Sequence, residues 1–370
     1  MQNKTLHIVS LTIPYPANYG GVIDIWHKLK ALHNQGINII LHCFVYNREP
    51  DNELERFCSK VFYYPRKRAI SDLFSTTPFI IKSRENKALV RNLQADNYPI
   101  LLEGVHCMGV LKNTEIRKRE VWLRTHNVET HYYSALHQTE KNFLKKQYFR
   151  LEAIKSKRYE SGKLPVKGIF SISEKDRDFF KSFNPNTLLI TPFHGHEKVS
   201  GISEKGNFLL YHADLSVSEN HQNATFLAGI SNAFPLPLVI AGRNPSPALI
   251  SLIDQNKNVS LRKNVAGEKM RSLIAGAAII LLPAKQTTGF RLKLLDSLFL
   301  GRHIIASPQM VEGTGLKKAC HIATTQEEWL TLIKKLSHTD YSAEEQEKRM
   351  QYLHPFSDNI NAQKIISEIF

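Results

Sequence analysis

The residues of this chain best placed to do chemistry gather in one stretch, Thr288-Gly289-Phe290-Arg291-Leu292-Lys293-Leu294-Leu295-Asp296. An apolar, strand-like segment, Ala278 to Leu282, precedes it and is closed by Pro283. Phe290, Leu294, Leu295, Leu298 and Phe299 recur at helical spacing, which predicts an amphipathic helix opened by Gly289 and stopped by Gly301. Arg291 and Lys293 then fall in the first turn, where bare backbone N–H groups and the macrodipole already favour an anion. Cations there are unfavourable for an isolated helix. They make sense if a phosphate or diphosphate docks at that end; the alternative is a solvated basic helix start.

Other candidates stand at predicted strand ends. The strand Pro99 to Leu102 runs into Glu103-Gly104-Val105-His106, and Val121 to Arg124 runs into Thr125-His126-Asn127. Polar residues at the carboxyl ends of parallel strands line the ligand crevice of open α/β sheets. Glu103, His106, His126 and Asn127 are therefore site candidates by position. Equally, Asn127 could cap a helix and His126 could be a satisfied buried imidazole. Gly20-Gly21 opens a predicted helix and permits close backbone approach by a ligand, or forms a plain tight turn. Arg243 follows Gly242 at another strand end and places a cation toward a crevice.

The elements that must position these residues alternate strand and helix through both halves. Leu6–Leu11, Ile37–Val45, Val61–Tyr64, Pro99–Leu102, Val121–Arg124, Gly168–Ile172 and Leu188–Thr191 read as the strands of a first α/β domain, residues 1–192. Pro192 to Gly206 has turn residues and little periodicity, and reads as a linker. A second α/β series spans 207–355, and Ile360, Ile365, Ile366 and Ile369 predict a last helix within 356–370. A long basic helix is predicted from Glu140 to about Gly162, with Phe143, Tyr148, Phe149, Leu151 and Ile154 as its apolar positions. It reads as a solvated helix packed on one side, with a membrane-surface or acidic-acceptor role as the alternative. Asp176-Arg177-Asp178 reads as the acidic first turn of a helix capped by Ser173, not as a metal motif.

With 370 residues there is length for two cores. A formal net charge of +15 implies anionic partners: nucleotides, acidic glycans or anionic lipid. Nucleic-acid binding would rest on charge alone, since no helix–turn–helix or zinc spacing accompanies it. Cys43, Cys58, Cys107 and Cys320 are scattered and read as reduced core residues of a cytosolic chain. Residues 1–4 lead into a strand, not into a signal-type apolar segment, and no apolar run reaches the roughly 20 residues of a membrane span.

The 288–296 stretch resembles the nucleotide-binding signature of retaining GT-B glycosyltransferases of family 4. The usual form there is Glu, Gly, Phe or Tyr, Gly, Leu, Pro, two apolar residues, Glu. A bacterial variant replaces the head with Gly, an apolar residue, Arg, any residue, Lys, and this chain follows it with Gly289, Phe290, Arg291 and Lys293. Asp296 stands where the second Glu stands, and Thr288 where the first does. The resemblance implies that Arg291 and Lys293 neutralise the donor diphosphate, that Leu294 belongs to the same motif, and that Asp296 grips the ribose. It implies donor-sugar contact at the Thr288 position, although Thr replaces the usual Glu. Family members carry glycines in the first loop, as at Gly20-Gly21, and a His near the anomeric centre, as at His126. They often carry an Arg after the first strand of the second domain; here that region reads Ala213-Asp214-Leu215-Ser216, so Arg243 would share the charge.

The fold implied is two doubly wound Rossmann-like domains facing across a cleft, the first on the acceptor side and the second on the donor side, with the last helix returning to the first. The implied activity is sugar transfer from a nucleotide-sugar to an acceptor hydroxyl in surface polysaccharide or glycolipid assembly, with retention and with neither cofactor nor metal. Glu103, His106 and Asn127 would serve the acceptor, a glycan or a lipid-linked saccharide. Nucleic acid is not an expected partner. The expected location is the cytoplasm, peripherally at the anionic inner face of the plasma membrane. The alternatives are a nucleotide-sugar epimerase and a degenerate GT-B subunit without transfer activity, the latter suggested by Thr288 and Asp214.

Overall fold

The computed structural model describes residues 4–67, 69–199, 206–265, 267–285 and 290–370. The chain divides into two units. One comprises Met1–Gly195, Thr288–Phe290 and Asp358–Phe370, the other His196–Thr287 and Arg291–Ser357. Thr288 and Gly289 lie outside the described residues.

The first unit is built on seven strands: β1 (Thr5–Ser10), β2 (Asn38–Val45), β3 (Lys60–Pro65), β4 (Ile100–Glu103), β5 (Val121–Thr125), β6 (Gly168–Ser171) and β7 (Thr187–Leu189). They lie in the order β3-β2-β1-β4-β5-β6-β7, all parallel. β1, β4, β5 and β6 are buried along their whole length, as strands covered by helices on both faces must be. Two apolar clusters, one around Leu6, Ile8 and Leu101 and one around Val9, Leu102 and Leu123, form the core of this unit. The last helix, Asp358–Ile369, buries Ala362, Ile365 and Ile369 in the first of these clusters. Asn361 ties the helix down by donating to the Thr191 carbonyl at 3.1 Å and hydroxyl at 2.8 Å.

The second unit has six strands: β8 (Leu209–Asp214), β9 (Leu238–Arg243), β10 (Val259–Lys263), β11 (Ile279–Leu282), β12 (His303–Ala306) and β13 (His321–Ile322). Their order is β10-β9-β8-β11-β12-β13, again all parallel. Each sheet therefore reverses its winding direction once, between β1 and β4 and between β8 and β11. Ligands of doubly wound sheets bind at the carboxyl ends of the strands flanking that switch. Gly20-Gly21 follows β1, Glu103 ends β4, and Arg291 and Lys293 follow β11; His126 and Asn127 stand one strand further out, after β5, and Arg243 ends β9.

Two local expectations are corrected. The helix expected to open at Gly289 begins at Leu292. Arg291 is its N-cap, in extended conformation (φ −98°, ψ 97°), so Phe290 and Arg291 precede the helix and only Lys293 lies in the first turn. The other correction concerns the basic helix, which spans Phe143–Glu160 and is capped by Asn142. Its fully buried residues are Glu152, Ser156 and Glu160; of the expected apolar positions Tyr148 and Phe149 are half-buried, Phe149 packing on the second apolar cluster, whereas Phe143, Leu151 and Ile154 are exposed. Polar partners in the fold, described below, hold its polar side inward. The Ser173 hydroxyl does cap the helix Glu174–Lys181, accepting from the Asp176 N–H at 3.2 Å. Among the described residues no helix is long and apolar enough to cross a membrane.

Candidate functional site

In the second unit two helices start beside the switch between β8 and β11. Ser218–Ile230 follows β8 and Leu292–Leu300 follows β11, and neither N-cap residue, Val217 or Arg291, supplies a side-chain hydrogen bond to its helix. Their first-turn N–H groups keep the electropositive character that suits an anion. The cations stand at the same place. Arg291 Nη2 lies 3.3 and 3.2 Å from the two Glu219 carboxylate oxygens. Glu219 also accepts from the Lys285 backbone N–H at 2.7 Å, so one carboxylate holds both described ends of the loop between β11 and the helix. Lys293 Nζ is 3.5 Å from Asn220 Oδ1 and 5.4 Å from the Tyr211 ring centroid.

Lys293 is the most perturbed of these cations. Burial pushes its ammonium down to about 7 and Arg291 pushes the same way, against the opposing pull of Glu219. The group is thus poised to lose or take a proton near neutrality. His212, at the end of β8, is fully enclosed; burial and then Lys293 push it down to about 4, and its Nε2 lies 3.0 Å from the Ser297 hydroxyl. Arg243 reaches Asp214 at 3.4 Å. Asp296 lies 2.8 Å from His196 Nε2, and that imidazole stacks on Phe299 at 5.1 Å between centroids. The Leu294 side chain is wholly buried and serves the core.

The first unit holds a compact charged cluster at its own switch. The helix Gly20–Asn34 follows β1, with Gly20 and Gly21 as its first residues and no side-chain cap from Tyr19. A Cβ built on Gly21 would meet only Tyr19, at 3.9 Å, so the protein's own packing does not demand glycine there. About one and two turns in, Asp24 and Lys28 point inward. Lys28 Nζ donates to Asp24 at 3.0 Å and to Glu103, at the end of β4, at 2.8 Å. Arg124 on β5 grips Asp24 with two contacts of 3.2 and 2.7 Å and donates to the Ile190 carbonyl at 2.7 Å. His126 completes the cluster, with Nε2 3.0 Å from Glu103 and Nδ1 3.8 Å from Asp24.

Burial alone would raise the Glu103 carboxyl. Lys28 and the His126 hydrogen bond outweigh it and hold the group below the ordinary carboxylate range. Asp24 is held down likewise, its burial offset by Arg124 and Lys28. Asp24, Glu103 and His126 together present ligand-type atoms, but ammonium and guanidinium groups already engage the carboxylates, so the arrangement is an ion-pair network around one imidazole. Such a network fixes the imidazole rigidly.

His106 and Asn127 flank this cluster. His106 Nδ1 is 3.9 Å from Glu129, and burial, reinforced by Arg84, keeps the imidazole well below its usual range. Glu129 is pushed up to about 8 by burial and then by Glu160. Glu160 is itself engaged, accepting from the Glu129 and Thr130 backbone N–H groups at 2.8 and 2.9 Å. Asn127 is half-buried after β5.

The structure thus groups Arg291 and Lys293 in the second unit, and Glu103 with His126 in the first. Arg243 and Asp296 stand in the second unit with partners of their own. Sequence reasoning missed Asp24, Lys28, Glu129, Glu219 and His196. A signal existed for some of them. Arg124 interrupts an apolar strand, and Asp24 and Lys28 sit four apart on the inward face of an apolar helix, a pattern that requires buried partners. Nothing local marked Glu219 or His196.

Comparison with known proteins bears on the second unit and on the fold. Residues 215–337 match the family model described as Glycosyl transferases group 1. A Klebsiella pneumoniae chain described as an uncharacterized 44.6 kDa protein in cps region is 25% identical over 387 residues, covering 98% of each chain. The crystal structure of Anabaena HepE in complex with UDP and glucose superposes with a TM-score of 0.67 at 11% identity, covering 99% of both chains. That of WaaG, a glycosyltransferase involved in lipopolysaccharide biosynthesis, gives 0.62 at 12% identity, again over 99% of each. The fold is that of the GT-B glycosyltransferases. Within it, residues 215–337 are similar to the group 1 glycosyltransferase model.

Proposed function

We propose that this chain transfers a sugar from a nucleotide-sugar to an acceptor hydroxyl during surface polysaccharide or glycolipid biosynthesis, with retention at the anomeric carbon. The observation that carries the reading is the Arg291–Lys293 pair beside two helix starts without side-chain caps, inside the segment that matches group 1 glycosyltransferases. Negative charge grows on the leaving diphosphate as the glycosidic bond breaks, so preorganised cations and N–H dipoles aimed there lower the barrier most. Arg291 exchanges Glu219 for the diphosphate, and Lys293 takes up a proton as it binds. Asp296 is assigned to the ribose and His126 to the donor sugar, with Lys28 and Glu103 holding His126 in place. Gly20 and Gly21 leave room for close approach of the donor. Glu103, His106 and Asn127 belong to the acceptor side in this reading, Glu103 acting through His126 because its own carboxylate is enclosed. No metal takes part. The UDP held by HepE, and the cps-region and lipopolysaccharide descriptions of the Klebsiella chain and WaaG, support a nucleotide-sugar donor and a glycan or lipid-linked acceptor. A lipid-linked acceptor places the enzyme at the cytoplasmic membrane surface.

The test is titration of the protein with UDP, GDP and CDP, followed by Arg291→Ala. A charge-assisted hydrogen bond is worth about 1.5–3 kcal/mol, so the variant should bind its preferred nucleotide roughly ten- to hundred-fold more weakly. Unchanged affinity would remove the donor-site assignment. Tight nucleotide binding without transfer to any acceptor would favour a subunit that has lost activity.

A further inference from the structure

We infer that the first unit docks on an anionic lipid bilayer through an inverted amphipathic helix and the turn beside it. The helix Phe143–Glu160 turns Glu152, Ser156 and Glu160 inward, buried beside half-buried Phe149, Ala153 and Tyr159, while Phe143, Leu144, Leu151 and Ile154 are 69, 77, 55 and 43% exposed. At 3.6 residues per turn these four project within an arc of about 100°, on the side opposite the buried residues. The rotation is fixed by polar contacts. Glu152 accepts from the Phe79 backbone N–H at 2.7 Å, and Glu160 accepts from the N–H groups that open the helix Glu129–Thr139. Turning the apolar side inward would break these bonds and bury Arg150 and Arg158, which lie at or within the same arc.

The patch extends beyond this helix. Lys155 Nζ donates to the Leu73 carbonyl at 2.7 Å, which holds the 3-10 turn Ile70–Phe74 against it. In that turn Ile70, Leu73 and Phe74 are 76, 37 and 86% exposed. Isolated exposed apolar residues need no explanation, but seven on two tethered segments do.

The charge around the patch selects the occupant. Lys141, Lys145, Arg150, Lys157 and Arg158 are exposed, whereas both acids of the helix, Glu152 and Glu160, are buried. The helix therefore offers solvent only a cationic rim beside an apolar strip, and these five cations outnumber the half-buried acids next to the patch, Asp72 in the turn and Glu140 before the helix. A bilayer with anionic headgroups supplies both complements, an apolar layer to receive Phe74, Phe143 and Leu144 and negative charge for the rim. This inference rests on the reading of a lipid-linked acceptor, but its residues belong to the first unit, whereas Arg291 and Lys293 belong to the second.

The full chain should pellet with vesicles containing phosphatidylglycerol and stay in the supernatant with pure phosphatidylcholine vesicles. Phe74→Ser with Leu144→Ser should lower the vesicle partition coefficient about tenfold or more, and Lys145→Glu with Arg150→Glu should abolish the preference for anionic lipid. Nucleotide affinity and melting temperature should stay at wild-type values in both variants. Failure to pellet with anionic vesicles, or pelleting that both variants leave intact, would overturn the inference. So would a micromolar dimer, seen by light scattering, that the serine variant dissolves, since the patch would then join two copies. Because nucleotide binding is read separately, loss of the docking inference leaves the donor-site reading to its own test.

Discussion

Raising the pH should weaken nucleoside diphosphate binding through Lys293. In the free protein burial holds this ammonium at about 7, so it is largely neutral by pH 9. A diphosphate beside Nζ restores the charged form and returns its pKa toward the ordinary value of about 10.4. Binding is then coupled to proton uptake. The free, protonated fraction falls from roughly a quarter at pH 7.5 to about one-hundredth at pH 9, so the dissociation constant should rise ~25-fold, or about 1.9 kcal/mol. The window starts at pH 7.5 because phosphate groups lose their last proton near pH 6, so the ligand's own charge stays constant above it. Calorimetry with UDP in buffers of different ionisation enthalpy should show close to one proton taken up per nucleotide at pH 8.5. Lys293→Ala should bind weakly with no pH slope. Lys293→Arg, permanently charged, should keep its affinity at pH 9 if the guanidinium fits. A slope of the same size in Lys293→Ala, or flat affinity in the wild type, would refute the reasoning. The sign for folding is the opposite of that for binding. A lysine whose pKa falls on folding costs stability while it is protonated, so Lys293→Met should raise the melting temperature at pH 6 and do so less at pH 10.

Other expectations can be checked by similar means. Asp296→Ala should weaken UDP more than inorganic pyrophosphate, because the carboxylate is assigned to the ribose; equal loss for both ligands would mean that its bond to His196 supports the helix instead. His126→Ala should leave UDP affinity within a few-fold and lower turnover by two orders or more. It also strips a partner from buried Glu103, so a melting loss equivalent to roughly 1–3 kcal/mol is expected, and a turnover loss that merely tracks the folded fraction would sink the catalytic assignment. Glu129 is pushed up to about 8, so its contribution to stability is complete below the ordinary carboxylate pKa and is lost as pH rises through about 8. Glu129→Gln should therefore melt higher than wild type at pH 8.5 and no higher at pH 4; an advantage independent of pH would rule out titration of this group.

The two α/β units and the grouping of Arg291 with Lys293 after a strand end were legible in the sequence because both depend on local rules. Apolar runs such as Leu6–Leu11 and Ala278–Leu282, alternating with helical periodicity, can only be buried strands of a parallel sheet, and short connections leave polar residues at the strand ends. Arg291, Lys293 and His126 could be picked out by that placement alone. Their partners could not. Glu219 is 72 positions from Arg291, and Asp24 is 100 from Arg124, so these pairings exist only once the sheet has set neighbouring strand ends side by side. The start of the helix at Leu292 and the outward face of Phe143, Leu144 and Leu151 have the same origin. In each case a polar contact from a distant segment, Glu219 on Arg291 or the Phe79 N–H on Glu152, overrides what periodicity favours, because a buried charge must find its partner before an apolar side chain finds its own.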